Sequence, residues 1–199
     1  MNFQSLNKLF LDRAEENSNK PFLWAKINKE WKSLTWKETS EKVKEFSSGL
    51  RAHGIKPGDR VVIVSENRPE WIVADLAITM IGGITVPAYT TNTEDDHHYI
   101  LEHSGAKAVI TSNNILANRL ALATTRTKEC KILITIDNYN GFEPEGLNII
   151  SYNEINNFGK NTIESSTDHL DKIQPDDTSC IIYTLSLIHI SEPTRRYSI

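Results

Sequence analysis

Cysteine, excess positive charge and long uninterrupted apolar runs are all scarce in this sequence, and each shortage narrows what the chain can be. The two cysteines, Cys130 and Cys180, lie far apart, lack CxxC spacing and sit in strand-like runs. That spacing argues against a disulfide framework or a thiolate metal site, and both are expected to be buried free thiols in a reducing, cytoplasmic setting. Lysine and arginine total 22 against 26 acidic residues, a formal net charge of -4, so no sequence-wide attraction draws the chain to nucleic acid or to anionic lipid. The longest apolar run, Trp71 to Tyr89, contains Asp75 and a Gly82-Gly83 break; it reads as a buried helix and a strand, not a membrane span. The N-terminus has no basic stretch leading into an apolar run, so no export signal is visible. Internal repeats are absent as well.

What is present is ordinary globular composition, 39% hydrophobic and 24% charged, arranged in alternating helical and strand patterns. Leu6, Leu9, Phe10 and Ala14 share one helical face after Ser5. "PFLWAK" and "EWKSLTW" flank a polar turn as a hairpin. Thr35 and Glu38 form a capping box for a helix that Val43, Phe46 and Leu50 line and Gly54 closes. "VVIVS" is short, β-branched and apolar on both faces, as a buried parallel strand should be. Strand and helix patterns then alternate: a helix with Asn67 and Glu70 as a cap pair and Pro69 in its first turn, "ITVPAY", a helix closed by Gly105, "AKAVITS", a further helix, and "CKILITID". Residues 138–171 read as polar surface connection with one short strand near "LNIIS", and "CIIYT" reads as another buried strand. The expected fold is α/β: part of a layered domain with a mostly parallel sheet and helices on both faces.

Three stretches, "GDRVVIVSENRPEWIVADLAITMIGGITVPAYTTNTEDDHHYILEHSGAKAVITS", "WKSLTWKETSEKVKEFSSGLRAHGIKPGD" and "PDDTSCIIYT", together resemble the N-terminal part of the AMP-forming acyl-adenylate superfamily. "SENRPEW", "ADLAI" and "VPAYTTNT" are most similar to its bacterial long-chain fatty acyl-CoA synthetases. The resemblance runs over residues 1–184, and it rests on the order and spacing of these stretches. It implies a two-step ligase: a fatty carboxylate attacks the α-phosphorus of ATP, with Mg2+, to give an acyl-adenylate and pyrophosphate, and the thiol of coenzyme A then displaces AMP. Fatty acid, ATP and coenzyme A are the implied small-molecule partners, and any membrane contact is expected to be peripheral at most; no basic amphipathic helix supports one. Oligomeric state is not legible.

The superfamily's signature loop, roughly Tyr-Thr-Ser-Gly-Thr-Thr-Gly-x-Pro-Lys-Gly, follows a buried strand and holds the β and γ phosphates. Tyr183 and Thr184 match its first two positions, and Thr184 is the one residue the resemblance implies as a cofactor contact. Leu185 and Ser186 then depart from it, and residues 185–199 contain no glycine and no lysine. Glycine lets backbone approach phosphate and lysine supplies charge, so this stretch is not a degenerate loop. Leu185 to Arg195, "LSLIHISEPTR", instead resembles a translated transposase-type sequencing adapter. The expected organisation is therefore an incomplete N-terminal subdomain, 1–184, followed by a non-native tail, 185–199. The chain itself is expected to be inactive and poorly stable, its sheet edge uncovered.

Other polar residues read more plainly. Asp95, Asp96, His97 and His98 suggest a metal site, but neighbours on a helix diverge, and a solvated helix start is expected. Asp59 and Arg60 fit a turn before a strand, and Tyr183 a buried packing residue at the strand end. Asp75, one turn from Trp71, is expected to find a structural partner. Ser65 and Glu66 follow the first buried strand, where open sheets often bind ligands, and are weak cleft candidates. Two other readings stay open: an enzyme adenylating acetate, an aromatic acid or an amino acid, and a non-catalytic α/β binding domain.

Overall fold

The computed structural model describes residues 5–161 and 170–184; the expected adapter-derived tail lies outside them. The Ser5 hydroxyl accepts the Lys8 amide and starts α1 (Leu6–Glu16). This helix buries Asn7, Phe10 and Ala14. Leu6, expected on that face, is exposed, because the 3–4 spacing that meets the core begins one residue later.

Pro21–Ile27 (β1) and Glu30–Thr35 (β2) pair antiparallel across Asn28 and Lys29. Both turn residues have positive φ, 51° and 70°, the conformation whose twist suits a two-residue hairpin turn. Asparagine tolerates it, whereas lysine carries a Cβ that resists it. Lys29→Gly is therefore expected to stabilise the chain by roughly 0.5–1 kcal/mol, after the extra freedom glycine gains when unfolded. A urea midpoint that stays put or falls would contradict this.

The capping box at α2 (Trp36–Ala52) is present: the Glu38 carboxylate accepts the Thr35 amide at 2.7 Å and the Thr35 hydroxyl accepts the Glu38 amide at 3.2 Å. There follow β3 (Arg60–Val64), α3 (Pro69–Met80), β4 (Ile84–Pro87), α4 (Glu94–Ser104), β5 (Ala108–Thr111), α5 (Asn114–Thr125), β6 (Ile132–Thr135), β7 (Asn148–Ser151), α6 (Tyr152–Lys160) and a short 3-10 helix, Leu170–Lys172. β3 to β7 form one parallel five-stranded sheet in the order β4-β3-β5-β6-β7.

Two cores cover the sheet. Val61 and Ile63 of β3 join Phe46, Leu50, Ile78 and Ile155 on one face, and Val62 and Val64 join Leu101, Leu116 and Leu120 on the other. A strand buried on both faces needs continuous apolar residues, hence "VVIV".

Three further expectations fail. Helix α3 is capped at Arg68, which makes no side-chain cap bond; Glu70 instead accepts the Arg68 guanidinium at 2.8 Å, and Asn67 does not pair with it as a cap. Residues 138–171 hold α6 besides the expected strand. This short Asn-rich helix stands on a Ser151–Glu154 capping box and on packing against α2, where Gly49 and Gly159 let the two backbones meet. Finally, "CIIYT" is no buried strand: it makes one parallel bridge, Thr85 to Cys180, along the outer side of β4. Cys180 is consequently exposed, whereas Cys130 is buried as expected, its thiol pushed up to about 12 by that burial.

Candidate functional site

From β3 the chain moves outward to β4, then crosses back over to β5 on the other side of β3. The carboxyl ends of β3 and β5 are thus a topological switch point, where departing loops diverge and leave a crevice in sheets of this order. Ser65 and Glu66 follow β3 there, and Ser112 and Asn113 follow β5. Asn113 Nδ2 donates to Glu66 Oε1 at 3.0 Å, while Asn113 Oδ1 accepts the Leu116 amide at 3.0 Å and caps α5. A hydrogen bond from Ser112, opposed by partial burial, keeps the Glu66 carboxyl below the ordinary carboxylate range. Beside them, the Arg68 guanidinium spans Glu70 at 2.8 Å and Asp137 at 3.0 Å, tying the start of α3 to the exit of β6.

Of these residues, the sequence marks only Ser65 and Glu66 as cleft candidates. Ser112, Asn113 and Asp137 carried one usable signal, their position just past an apolar parallel strand. The cluster is polar and ordered, but Glu66 is ionised and Arg68 is already engaged by two carboxylates. A polyphosphate would meet negative charge here, so the crevice is a latch between strand ends and not a phosphate cradle.

The second feature is the segment leading to Thr184. The Thr85 amide donates to Ser179 O at 3.0 Å and the Ile181 amide to Thr85 O at 2.9 Å, so the segment runs parallel to β4 and delivers Thr184 to the same carboxyl-end pole. Tyr183, expected to be buried at a strand end, is only half-buried against the second core; its hydroxyl lies 2.7 Å from His103 Nδ1, and its ring meets Tyr99 edge-on at 6.2 Å.

The remaining candidates sort cleanly. Arg60 donates to Ser104 O at 2.6 Å and Gly105 O at 2.7 Å, so its guanidinium closes the C-terminus of α4; the Asp59 carboxylate accepts the Lys56 amide in the preceding turn. Asp95 pairs with Arg126 at 2.7 Å, and Asp96 caps its own helix with Thr93. His97 corrects the expected solvated helix start, being completely buried. Among the described residues no three His, Cys, Asp or Glu side chains converge to hold a metal. Burial pushes the Asp75 carboxyl up, with the Thr85 hydroxyl acting against it. A groove of about 430 Å³ lined by Asn7, Thr79, Gly83 and Asp177 lies at the amino ends of the strands, away from this pole. No helix among the described residues is long and apolar enough to cross a membrane.

The family model described as "AMP-binding enzyme" matches residues 10–184. A long-chain-fatty-acid–[acyl-carrier-protein] ligase of Arabidopsis thaliana, AEE15, is 27% identical over 161 residues, covering 76% of this chain and 22% of the relative. The long-chain-fatty-acid–CoA ligase FadD15 of Mycobacterium tuberculosis is 33% identical over 91 residues, 46% of this chain and 15% of its own length. The chain thus spans less than a quarter of either relative. In fold it is similar to coronafacic acid ligase from Pectobacterium brasiliense, with a TM-score of 0.73 at 21% identity, over 89% of this chain and 33% of that one.

Proposed function

This chain belongs to the AMP-binding enzyme family, and on that premise we propose that it is the N-terminal part of a ligase that activates long-chain fatty acids through an acyl-adenylate and passes them to coenzyme A. The observation that carries this reading is the reach of the family match, which runs through all the parallel strands and stops at Tyr183-Thr184. Two relatives that act on long-chain fatty acids support the acid. In this reading residues 1–184 are an incomplete subdomain, residues 185–199 an adapter-derived tail, and Thr184 the entrance to the phosphate loop.

The residues present do not fit ATP and Mg2+ by themselves. The crevice at the switch point is acidic, no metal-holding cluster exists among the described residues, and residues 185–199 bring neither glycine nor lysine. No catalytic step is therefore assigned to side chains of this chain; it serves as scaffold. The similarity in fold to coronafacic acid ligase supports a second reading, in which a different carboxylic acid is adenylated.

A substrate panel separates the two. The protein encoded by the uninterrupted parent gene, given acids from acetate to octadecanoate, is expected to turn over long-chain acids with the highest kcat/KM. A maximum at acetate, at an aromatic acid or at an amino acid would overturn the long-chain assignment.

A further inference from the structure

The hairpin of β1 and β2 stands apart from the rest of the chain in both charge and exposure. Its register sets Trp24 opposite Ser33 and Lys26 opposite Trp31. Residues directly opposite share a face, as do residues two apart on one strand, so Trp24, Lys26 and Trp31 lie together on one side. Trp24 is 56% and Trp31 66% exposed. The chain's other two tryptophans, Trp36 and Trp71, pack against the core. Two solvent-facing indoles on one face need an explanation, because exposed aromatic clusters rimmed by polar groups mark contact surfaces.

Charge identifies the contact. Between residues 20 and 37 the sequence carries Lys20, Lys26, Lys29, Lys32 and Lys37 against the single carboxylate of Glu30, although the whole chain is net negative at -4. Among the described residues Lys26 and Lys29 form no ion pair, while Lys32, paired with Ala25, lies on the other face. Lys29 stands at the tip, held in the left-handed region with φ 70°. Indoles prefer the boundary between water and hydrocarbon, and lysines beside them are drawn to anionic headgroups while their stems lie along apolar surface.

We propose that this hairpin is a docking element for an anionic lipid surface, with Trp24 and Trp31 seated at the headgroup level and Lys26, on their face, and Lys29, at the tip, meeting the lipid charge. Such an element rests on the surface without crossing it. The inference stands on the hairpin alone, whatever acid the parent enzyme activates.

The test is co-sedimentation of the 199-residue chain with vesicles of phosphatidylcholine containing about one-third phosphatidylglycerol, and with phosphatidylcholine alone. The expected result is binding to the anionic vesicles only, accompanied by a blue shift of tryptophan emission and weakened by salt. Trp24→Ser with Trp31→Ser, and separately Lys26→Glu with Lys29→Glu, should each lower the partition at least about tenfold. Phe142→Ser, another exposed aromatic, should bind like the unchanged chain, and matching circular dichroism melts establish that all variants fold alike. Absent or charge-independent vesicle binding would overturn the proposal, as would hairpin variants that bind undiminished. Lipid-independent self-association lost in the tryptophan variants, or preference for a single-stranded oligonucleotide over the vesicles, would assign the face elsewhere and equally overturn it.

Discussion

Replacing His97 with leucine is expected to stabilise the chain and to flatten its loss of stability in acid. His97 lies in the first turn of α4, yet the fold turns its ring completely inward, and among the described residues neither ring nitrogen has a hydrogen-bond partner. Burial, and then the neighbouring Arg119 guanidinium, lower its pKa to about 4, against a smaller opposing pull from Asp96. An unfolded histidine titrates near 6.5, so below that pH the unfolded chain takes up a proton that the folded chain refuses. The stability associated with neutral His97 is complete above about pH 6.5 and falls away between there and about pH 4, a total on the order of 3 kcal/mol, of which about 2 kcal/mol is gone by pH 5. Leucine of similar volume leaves no unpaired nitrogen, and the gain at pH 7 should be about 1–2 kcal/mol. Urea midpoints at pH 7 and pH 5 read both effects; an unchanged difference between the two pH values in His97→Leu would show that another group carries the acid sensitivity.

Gly159→Ala is expected to cost about 3 kcal/mol or more. A Cβ on Gly159 would collide with the backbone carbonyl of Glu45, and one on Gly49 with that of Ile155. Backbone in a helix cannot step aside as a flexible side chain can, so overpacking here pushes α2 and α6 apart. Separation would loosen Ile155, fully buried, and the Phe46–Tyr152 stack, whose ring centroids are 4.6 Å apart. Asn157→Ala on the exposed side of α6 is the matched control, expected to change stability by no more than about 0.5 kcal/mol. Equal denaturation midpoints for Gly159→Ala and the parent would mean that the two helices are not in backbone contact.

What could be read from the sequence was whatever local pattern decides. The apolar run of β3, the Thr35–Glu38 box and the Gly105 terminus each carry their own signal, and all three appear in the fold. Helix α6 does not advertise itself: asparagine is a weak helix former, and its buried residues Tyr152, Ile155 and Gly159 gain meaning only beside α2. The burial of His97 was hidden for a similar reason, since Asp95 and Asp96 on the same turn gave the segment a solvated look. Ser65 and Glu66 were reachable because a loop after a buried strand is a known place for polar groups, but their partners Ser112 and Asn113 depend on strand order, which periodicity does not encode. An apolar pentapeptide looks the same at the margin of a sheet as within it, so "CIIYT" carries no signal that Cys180 is exposed. Thr184 was singled out by resemblance alone; the fold adds only its position at the carboxyl-end pole.

The most direct measurement is exchange of labelled pyrophosphate into ATP, in the presence and absence of a long-chain fatty acid, by the protein encoded by the uninterrupted gene that carries residues 1–184. Membership of this chain in a fatty-acid-adenylating ligase calls for exchange that depends on the acid, and for none from the 199-residue chain alone. Exchange indifferent to the acid, or no exchange from that protein with a long-chain fatty acid, would contradict this membership, and acid-dependent exchange from the 199-residue chain would contradict its inactivity.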